Sequence, residues 1–508
     1  MSKPKKTPWF ENDRLESDFK TRVIRSGGIS VFAQTVAYGA QTIGTIIMAR
    51  LLSPTDFGLV AFVTVASLLL MNFGVKFSEA IIQENRITHA LISNTFWANL
   101  IISTGLALTL IAISPLLAWF FKEPQVKEIA LVMTIIVVLP AISTQHTALL
   151  KRKMNFRAIA AIDISASLIS VFTGIVLALR GFGYWAIIAR QIAFYSIGSL
   201  SAWYFCNWRP GLYDQGTSLK AILRFTVKTY GNYCLTYFCR SLDKILIGRY
   251  FGSQMLGHYD RAYNLSSAFP NQLITPLTGV AISTLSKLRN SPDKFVRYYE
   301  NMVSLIAFVS MGVSVVLTVI GRDLVVLALG QQWEIAGRIF VAFAAGMGIS
   351  LIYSTTMWVH ISLGRADRAL KWSLLSSSIT VIVIVSGLAF GVMGVAIAYS
   401  LSSFMLVVPA FRYAMKPIST QRFSYWGMAG KHVLSAFFAG VLSWLLMYTG
   451  CLSLLGSFTS ARWIRILIVL MVCSALYLSL EIAFHRGLKP LISLIEIARI
   501  MNPMRHSK

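Results

Sequence analysis

Acidic side chains are scarce in this chain: 20 Asp and Glu stand against 46 Lys and Arg, and charged residues of both signs make up only 13% of its 508 residues. So little charge excludes an ordinary soluble globular protein, in which about a quarter of residues carry it. Cysteine is nearly absent as well. Cys206, Cys234, Cys239, Cys451 and Cys473 fall within or at the ends of apolar stretches, without metal-ligand spacing or a plausible extracytoplasmic pair. They read as small packing residues, and no metal or cofactor is expected. A cleavable signal is also missing, because residues 1–27 are polar and charged with no apolar core. Nor is there a polar stretch long enough to fold outside a membrane. The longest connections run to about twenty residues and hold no carboxylate pair or Ser/His/Asp set, so a membrane enzyme would lack its chemistry.

What is present is hydrophobic length. Apolar residues make up 56% of the chain, with a mean hydropathy of +0.66. A bilayer core needs roughly 20 mostly apolar residues per helical crossing. Spans are expected near 28–50, 57–78, 91–113, 128–150, 159–179, 184–206, 229–250, 262–285, 301–320, 336–359, 372–390, 392–411, 432–449 and 466–484. The connections are short and often marked by Gly or Pro, as at Ser53-Pro54, Gly181-Phe182-Gly183 and Gly391, so neighbouring helices form antiparallel hairpins. The expected fold is an all-α membrane protein of about 14 transmembrane helices.

Basic residues set the orientation, because positively charged loops stay cytoplasmic. Of the 46 Lys and Arg, 33 fall on one side of these spans and 10 on the other. An even number of spans with both termini cytoplasmic fits that asymmetry. The net charge of +26 is therefore spread over short loops, and no basic domain exists to hold nucleic acid.

A faint repeat divides the spans. Arg50-Leu-Leu-Ser-Pro-Thr-Asp-Phe57-Gly58 has the Arg-to-Gly spacing of Arg249-Tyr-Phe-Gly-Ser-Gln-Met-Leu256-Gly257, and the Gly-rich turn before Ala186-Ile-Ile-Ala-Arg190 is similar to the one before Val395-Ala-Ile-Ala-Tyr399. Two copies of six spans, related by an axis along the membrane normal, would follow. The expected organisation is a cytoplasmic N-tail (1–27), a first lobe (28–206), a cytoplasmic linker (207–228) and a second lobe (229–411). A cytoplasmic loop (412–431), two further spans (432–484) and a cytoplasmic tail (485–508) complete it. Residues 488–501, LKPLISLIEIARIM, are expected to lie along the inner membrane surface.

The seventh span is the anomaly. Tyr233, Thr236, Tyr237, Arg240, Asp243 and Lys244 recur at intervals of three and four or sit side by side, forming one polar stripe on an apolar helix. Each central charge costs about 2.5–3.5 kcal/mol on insertion scales, against about 0.3–0.6 returned by a Leu, Ile, Phe or Val. Either the three charges lock helices together as a buried ion-pair cluster, or they line a hydrated cavity. One carboxylate does not neutralise two cations, so a surplus positive charge would attract an anion such as a phosphate or an acidic sugar. Gln34, Tyr38, Gln41 and Thr45 form a similar stripe in the first span, and Asp260, Asn264, Ser267, Asn271 and Thr275 another entering the eighth. The candidate binding residues are Arg240, Lys244, Arg190, Arg261, Gln34, Gln41 and Asn271. Asp243, Asp163 and Asp260 are candidates for charge pairing or ion coupling. His146 reads as a hydrogen-bonded packing residue.

Three stretches carry a family resemblance: FGLVAFVTVASLLLMNFGVKFSEAIIQ (57–83), LDKILIGRYFGSQMLGHYDRAYNLSSAFP (242–270) and VLALGQQW (326–333). Over residues 20–480 the chain resembles the Wzx-type lipid-linked oligosaccharide flippases, in the branch of the colanic-acid and succinoglycan exporters. The resemblance implies the MATE-like fold of the multidrug/oligosaccharidyl-lipid/polysaccharide (MOP) superfamily, with two six-helix lobes around a central cavity and two added C-terminal helices. It implies movement of undecaprenyl-diphosphate-linked repeat units from the cytoplasmic to the periplasmic leaflet of the bacterial inner membrane, by alternating access and without bond cleavage. The implied partners are the lipid-linked oligosaccharide, membrane lipids, and a polymerase and export complex. Arg240 and Lys244 occupy the matching span, but no motif fixes individual roles. A small-molecule antiporter of the same fold is one alternative, although its organic cations would favour an acidic lumen. A polytopic polysaccharide polymerase or ligase is the other.

Overall fold

In the computed structural model the described residues are 19–84, 87–418, 426–448, 462–485 and 487. Among them every regular element is helical. Lipid offers the backbone no hydrogen-bond partner, so a chain this apolar satisfies its peptide groups within each helix. The helices are α1 (Phe19–Leu51), α2 (Pro54–Gln83), α3 (His89–Phe121), α4 (Gln125–Arg152), α5 (Phe156–Leu179), α6 (Tyr184–Phe205) and α7 (Lys220–Lys287). They continue as α8 (Pro292–Leu329), α9 (Glu334–Ser354), α10 (Thr356–Ser362), α11 (Ala366–Gly387), α12 (Gly391–Met415), α13 (Lys431–Tyr448) and α14 (Arg462–His485). Nine helical segments among the described residues are long and apolar enough to cross a membrane.

Burial follows the logic of a membrane protein. Asn94, Asn99, Gln145 and Ser170 are fully buried, whereas Trp119, Phe172, Tyr204 and Phe390 are each at least 70% exposed. The helix contacts thus take in polar groups beside buried apolar ones such as Phe77, Phe295 and Trp333, and other large apolar side chains turn outward, where a lipid solvent accepts them. Buried polar groups are absorbed by backbone, as where Asn99 donates to the Ala141 carbonyl and Gln145 to that of Thr95.

Two connections differ from expectation. The seventh and eighth spans are not separated by a loop; both lie on α7, interrupted only at Gly252, whose φ of 79° suits a residue without a Cβ. The tenth span is broken at Thr355 into α9 and α10. The turn at Ser53-Pro54 does form. Ser53 caps α2 by accepting from the Asp56 amide at 3.2 Å, while Asp56 accepts from the Ser53 amide at 2.9 Å, and Pro54 supplies the first helical residue. Cys451 and residues 488–501 lie outside the described residues.

The chain divides into two compact units after Gly257. In the first, α1 packs on α5, α5 on α6, α6 on α4, and α4 on α2 and α3. The opening turns of α7 join it by placing Ile222 against Phe73, Phe77 and Ala80 of α2. In the second unit α8 packs on α9, α9 on α12 and α12 on α11, with α13 and α14 both against α8. With the repeat in register, α3–α4, α4–α6 and α5–α6 in one unit have their counterparts in α8–α9, α9–α12 and α11–α12 in the other. The two Arg-to-Gly stretches also meet. A Cβ on Gly58 would stand 1.7 Å from the Ser253 carbonyl oxygen, and one on Gly257 would stand 1.9 Å from that of Pro54. Pro54 and Ser253 occupy equivalent places in the repeat expected from the sequence, so this contact within the first unit reads the same from either side.

Candidate functional site

Arg190 enters the first unit from α6. Gln41 and Thr45 are one turn apart and therefore share a face of α1. The Arg190 guanidinium donates to Thr45 Oγ1 at 3.0 Å, to the Gln41 carbonyl at 3.0 Å and to Gln41 Oε1, and its Nη1 lies 3.6 Å from Met48 Sδ. The Gln41 amide nitrogen donates onward to Ser170 of α5 at 3.1 Å, and Ser170 donates to the Ser167 carbonyl. The planar five-donor guanidinium suits such a fork, so one cation ties three helices. Gly174 of α5 leaves room for it. A Cβ there would stand 2.8 Å from Met48 Sδ and 3.0 Å from Arg190 Cβ.

On α7 the polar stripe begins one turn earlier than the sequence reading placed it. Tyr230, Tyr233 and Tyr237 stack in succession, with ring centroids 6.3 and 5.4 Å apart. The Tyr230 hydroxyl donates to the Leu69 carbonyl at 3.0 Å and its ring meets Phe73 edge-on. Lys76 of α2 lies over the Tyr233 ring at 5.7 Å and pairs with Glu79 at 2.7 Å. Beyond the ladder the three charges part company. Asp243 is 1% exposed and accepts from the Lys244 amide at 2.7 Å, whereas Lys244 is half-buried and Arg240 exposed. Among the described residues Arg240 makes no hydrogen bond or ion pair.

In the second unit Asp260 and Arg261 form an ion pair at 2.6 Å, and Asn264 donates to the same carboxylate oxygen at 2.8 Å. The Arg261 charge is thereby balanced locally. Asp163 of α5 is half-buried and has no hydrogen bond or ion pair among the described residues, and Gln34 of α1 is exposed. Asn271 lies on α7 with its side chain outside the described residues. The structure therefore brings Arg190 to Gln41 and Asp260 to Arg261, and holds Arg240, Asp243 and Lys244 on one helix.

His146 is fully buried, stacked on Trp203 at 4.5 Å and flanked by Phe96 and Trp208. That surrounding fits packing, although among the described residues its ring nitrogens have no hydrogen-bond partner. Sequence reading missed Ser170, Gly174 and the Lys76–Tyr233 contact. Only Tyr230, three residues before Tyr233, carried a local signal.

Comparison with known proteins adds three findings. Residues 47–337 match a family model described as polysaccharide biosynthesis protein. The succinoglycan biosynthesis transport protein ExoT of Rhizobium meliloti (strain 1021) is 26% identical, over 70% of this chain and 73% of its own length. The lipopolysaccharide biosynthesis protein WzxC of Escherichia coli (strain K12) is 20% identical, over 78% of this chain and 82% of its own. Among solved structures, the lipid II flippase MurJ in an inward closed conformation superposes with a TM-score of 0.70, covering 90% of this chain and 99% of MurJ at 17% identity. An inward-facing multidrug resistance MATE family transporter of the MOP superfamily follows at 0.58, covering 75% and 94% at 14% identity. At such identities the likeness shows the fold, which is MATE-like and that of a multi-pass membrane protein.

Proposed function

Because the chain belongs to the polysaccharide biosynthesis protein family, whose model spans 47–337, we propose that it carries undecaprenyl-diphosphate-linked oligosaccharide repeat units from the cytoplasmic to the periplasmic leaflet of a bacterial inner membrane. The fold of a lipid flippase and relatives named for polysaccharide transport support this reading. The observation that carries the recognition step is Arg240. It is an exposed guanidinium on α7, in the middle of the span expected at 229–250 from the sequence, with no hydrogen bond or ion pair among the described residues. A charge at that depth is costly against lipid and belongs to water or to an anion.

The proposed crossing number is fourteen, with both termini cytoplasmic and two six-span lobes flanking a hydrated cavity, 28–206 and 229–411. Arg240 and Lys244 receive the diphosphate through charge-assisted hydrogen bonds. The tyrosine ladder offers flat apolar faces to sugar rings. Arg190 and Gln41 hold the cavity wall, and Asp243 fixes the stripe. Reorientation of the lobes then presents the head group outward, with no bond broken, driven by its differential affinity for the two states. A polymerase and export complex would take the product. The surplus basic charge disfavours an antiporter of organic cations.

The test is reconstitution with a fluorescent lipid-diphosphate oligosaccharide, comparing wild type with Arg240→Gln and Lys244→Gln. Each variant is expected to lose at least about tenfold in translocation rate, the loss of one good charge-assisted contact. Equal rates in all three would remove the site assignment, and new covalent products would replace the carrier with an enzyme.

A further inference from the structure

We propose that His432, Glu481 and His485 form a binding site for one divalent transition-metal ion of the zinc class, joining α13 to α14. His432 opens α13, while Glu481 and His485 are one turn apart at the end of α14. One ligating atom from each of the three lies within 4.8 Å of the others. His432 Nδ1 is 2.8 Å and His485 Nδ1 3.2 Å from the same carboxylate oxygen, Glu481 Oε2. The two imidazoles stack with centroids 4.6 Å apart.

Three features favour a metal over a closed hydrogen-bonded triad. The first is an unspent ligand: Glu481 Oε1 is buried and has no hydrogen-bond partner among the described residues. The nearby Tyr477 hydroxyl does not serve it, having committed its single hydrogen to the Phe308 carbonyl at 2.7 Å. The second is charge. The Glu481 side chain is only 2% exposed and that of His432 1%, and a carboxylate group so far from water is stabilised by a bound cation. The third is the supporting shell. His432 Nε2 is 3.0 Å from Ser304 Oγ of α8, the outer hydrogen bond that orients a metal-bound histidine and leaves its other nitrogen for the ion.

Two imidazole nitrogens and a carboxylate, without thiolate, match zinc and its cobalt and nickel analogues better than calcium or magnesium. Donors about 2 Å from a tetrahedral ion stand roughly 3.3 Å apart, so the 2.8 Å His432–Glu481 pair would open by about 0.5 Å, the 3.2 Å His485–Glu481 pair would hold, and any wider pair, at most 4.8 Å, would close in. His485 would exchange its 3.1 Å bond to the Glu481 carbonyl for the ion. The fourth position is left to water or a small anion.

The experiment uses full-length protein without a histidine tag, stripped with EDTA and titrated with zinc chloride by calorimetry, with metal content read by mass spectrometry after desalting. About one zinc per chain is expected, and cobalt should show the intense visible bands of a four-coordinate site. Glu481→Gln, His432→Gln and His485→Gln should each weaken binding at least about a hundredfold, and Ser304→Ala about tenfold. His360→Gln, in another buried setting on α10, should leave it unchanged. Thermal unfolding in EDTA separates loss of the site from loss of the fold. Should Glu481→Gln fail to fold, His485→Asn, at the more exposed edge, carries the same reading. Wild type without zinc, or either carboxylate or edge variant binding as wild type does, overturns the proposal.

Discussion

Arg190 on α6 and Arg240 on α7 are both arginines within spans expected from the sequence, and their surroundings differ completely. Arg190 is half-buried and spends its guanidinium on Gln41, Thr45 and Met48, with Gly174 cut back to admit it. Arg240 is exposed and makes no hydrogen bond or ion pair among the described residues. An intramembrane charge is thus not by itself a mark of recognition. The first is a tie between helices, and the second makes no such tie among the described residues.

The sharpest way to break this comparison is steric. Gly174→Leu drives a branched side chain into Met48 and Arg190, and is expected to destabilise the protein by about 3 kcal/mol, read as a lowered unfolding midpoint in detergent. Next comes the pair itself. Arg190→Met should cost about 2 kcal/mol through stranded Gln41 and Thr45 oxygens, whereas Arg240→Gln should stay within about 0.5 kcal/mol of wild type. Equal destabilisation by the two would erase the distinction. The smallest effect lies outside the membrane, in the segment after α6. Asp214 Oδ2 accepts from the Thr217 hydroxyl at 2.6 Å and Oδ1 from the Gly216 amide at 3.2 Å, which holds its carboxyl below the usual range. A depressed carboxylate stabilises above its unfolded value, about 3.9, and that contribution fades as pH falls through the lower folded value. Amide exchange at Gly216 should therefore quicken on acidification in wild type and be insensitive to pH over this window, after correction for intrinsic exchange, in Asp214→Asn.

The helices were legible because hydropathy and helix length are local properties, and so was the capped turn at Ser53-Pro54. A break between residues 250 and 262 was legible too, but not that Gly252 alone makes it, with helix resuming at once, since a single residue of positive φ leaves no trace in a hydropathy pattern. At the site, periodicity placed Arg240, Asp243 and Lys244 on one stripe but could not say which of them would be exposed, because that depends on neighbours distant in sequence. Arg190 was named as a binding candidate, and only the packing of α1 and α5 reveals how thoroughly it is engaged. His432 and Glu481 lie too far apart along the chain for spacing to flag a ligand set, so the prior expectation of no metal rested on the cysteines.

The meeting of Gly58 with Gly257 has a consequence for what either position can become. Each glycine lies where the other stretch's backbone carbonyl leaves no space for even a methyl group. A backbone oxygen stays whatever side chain its residue carries, so no second substitution rescues the first, and both places are closed to every larger residue unless the two chain segments themselves move apart.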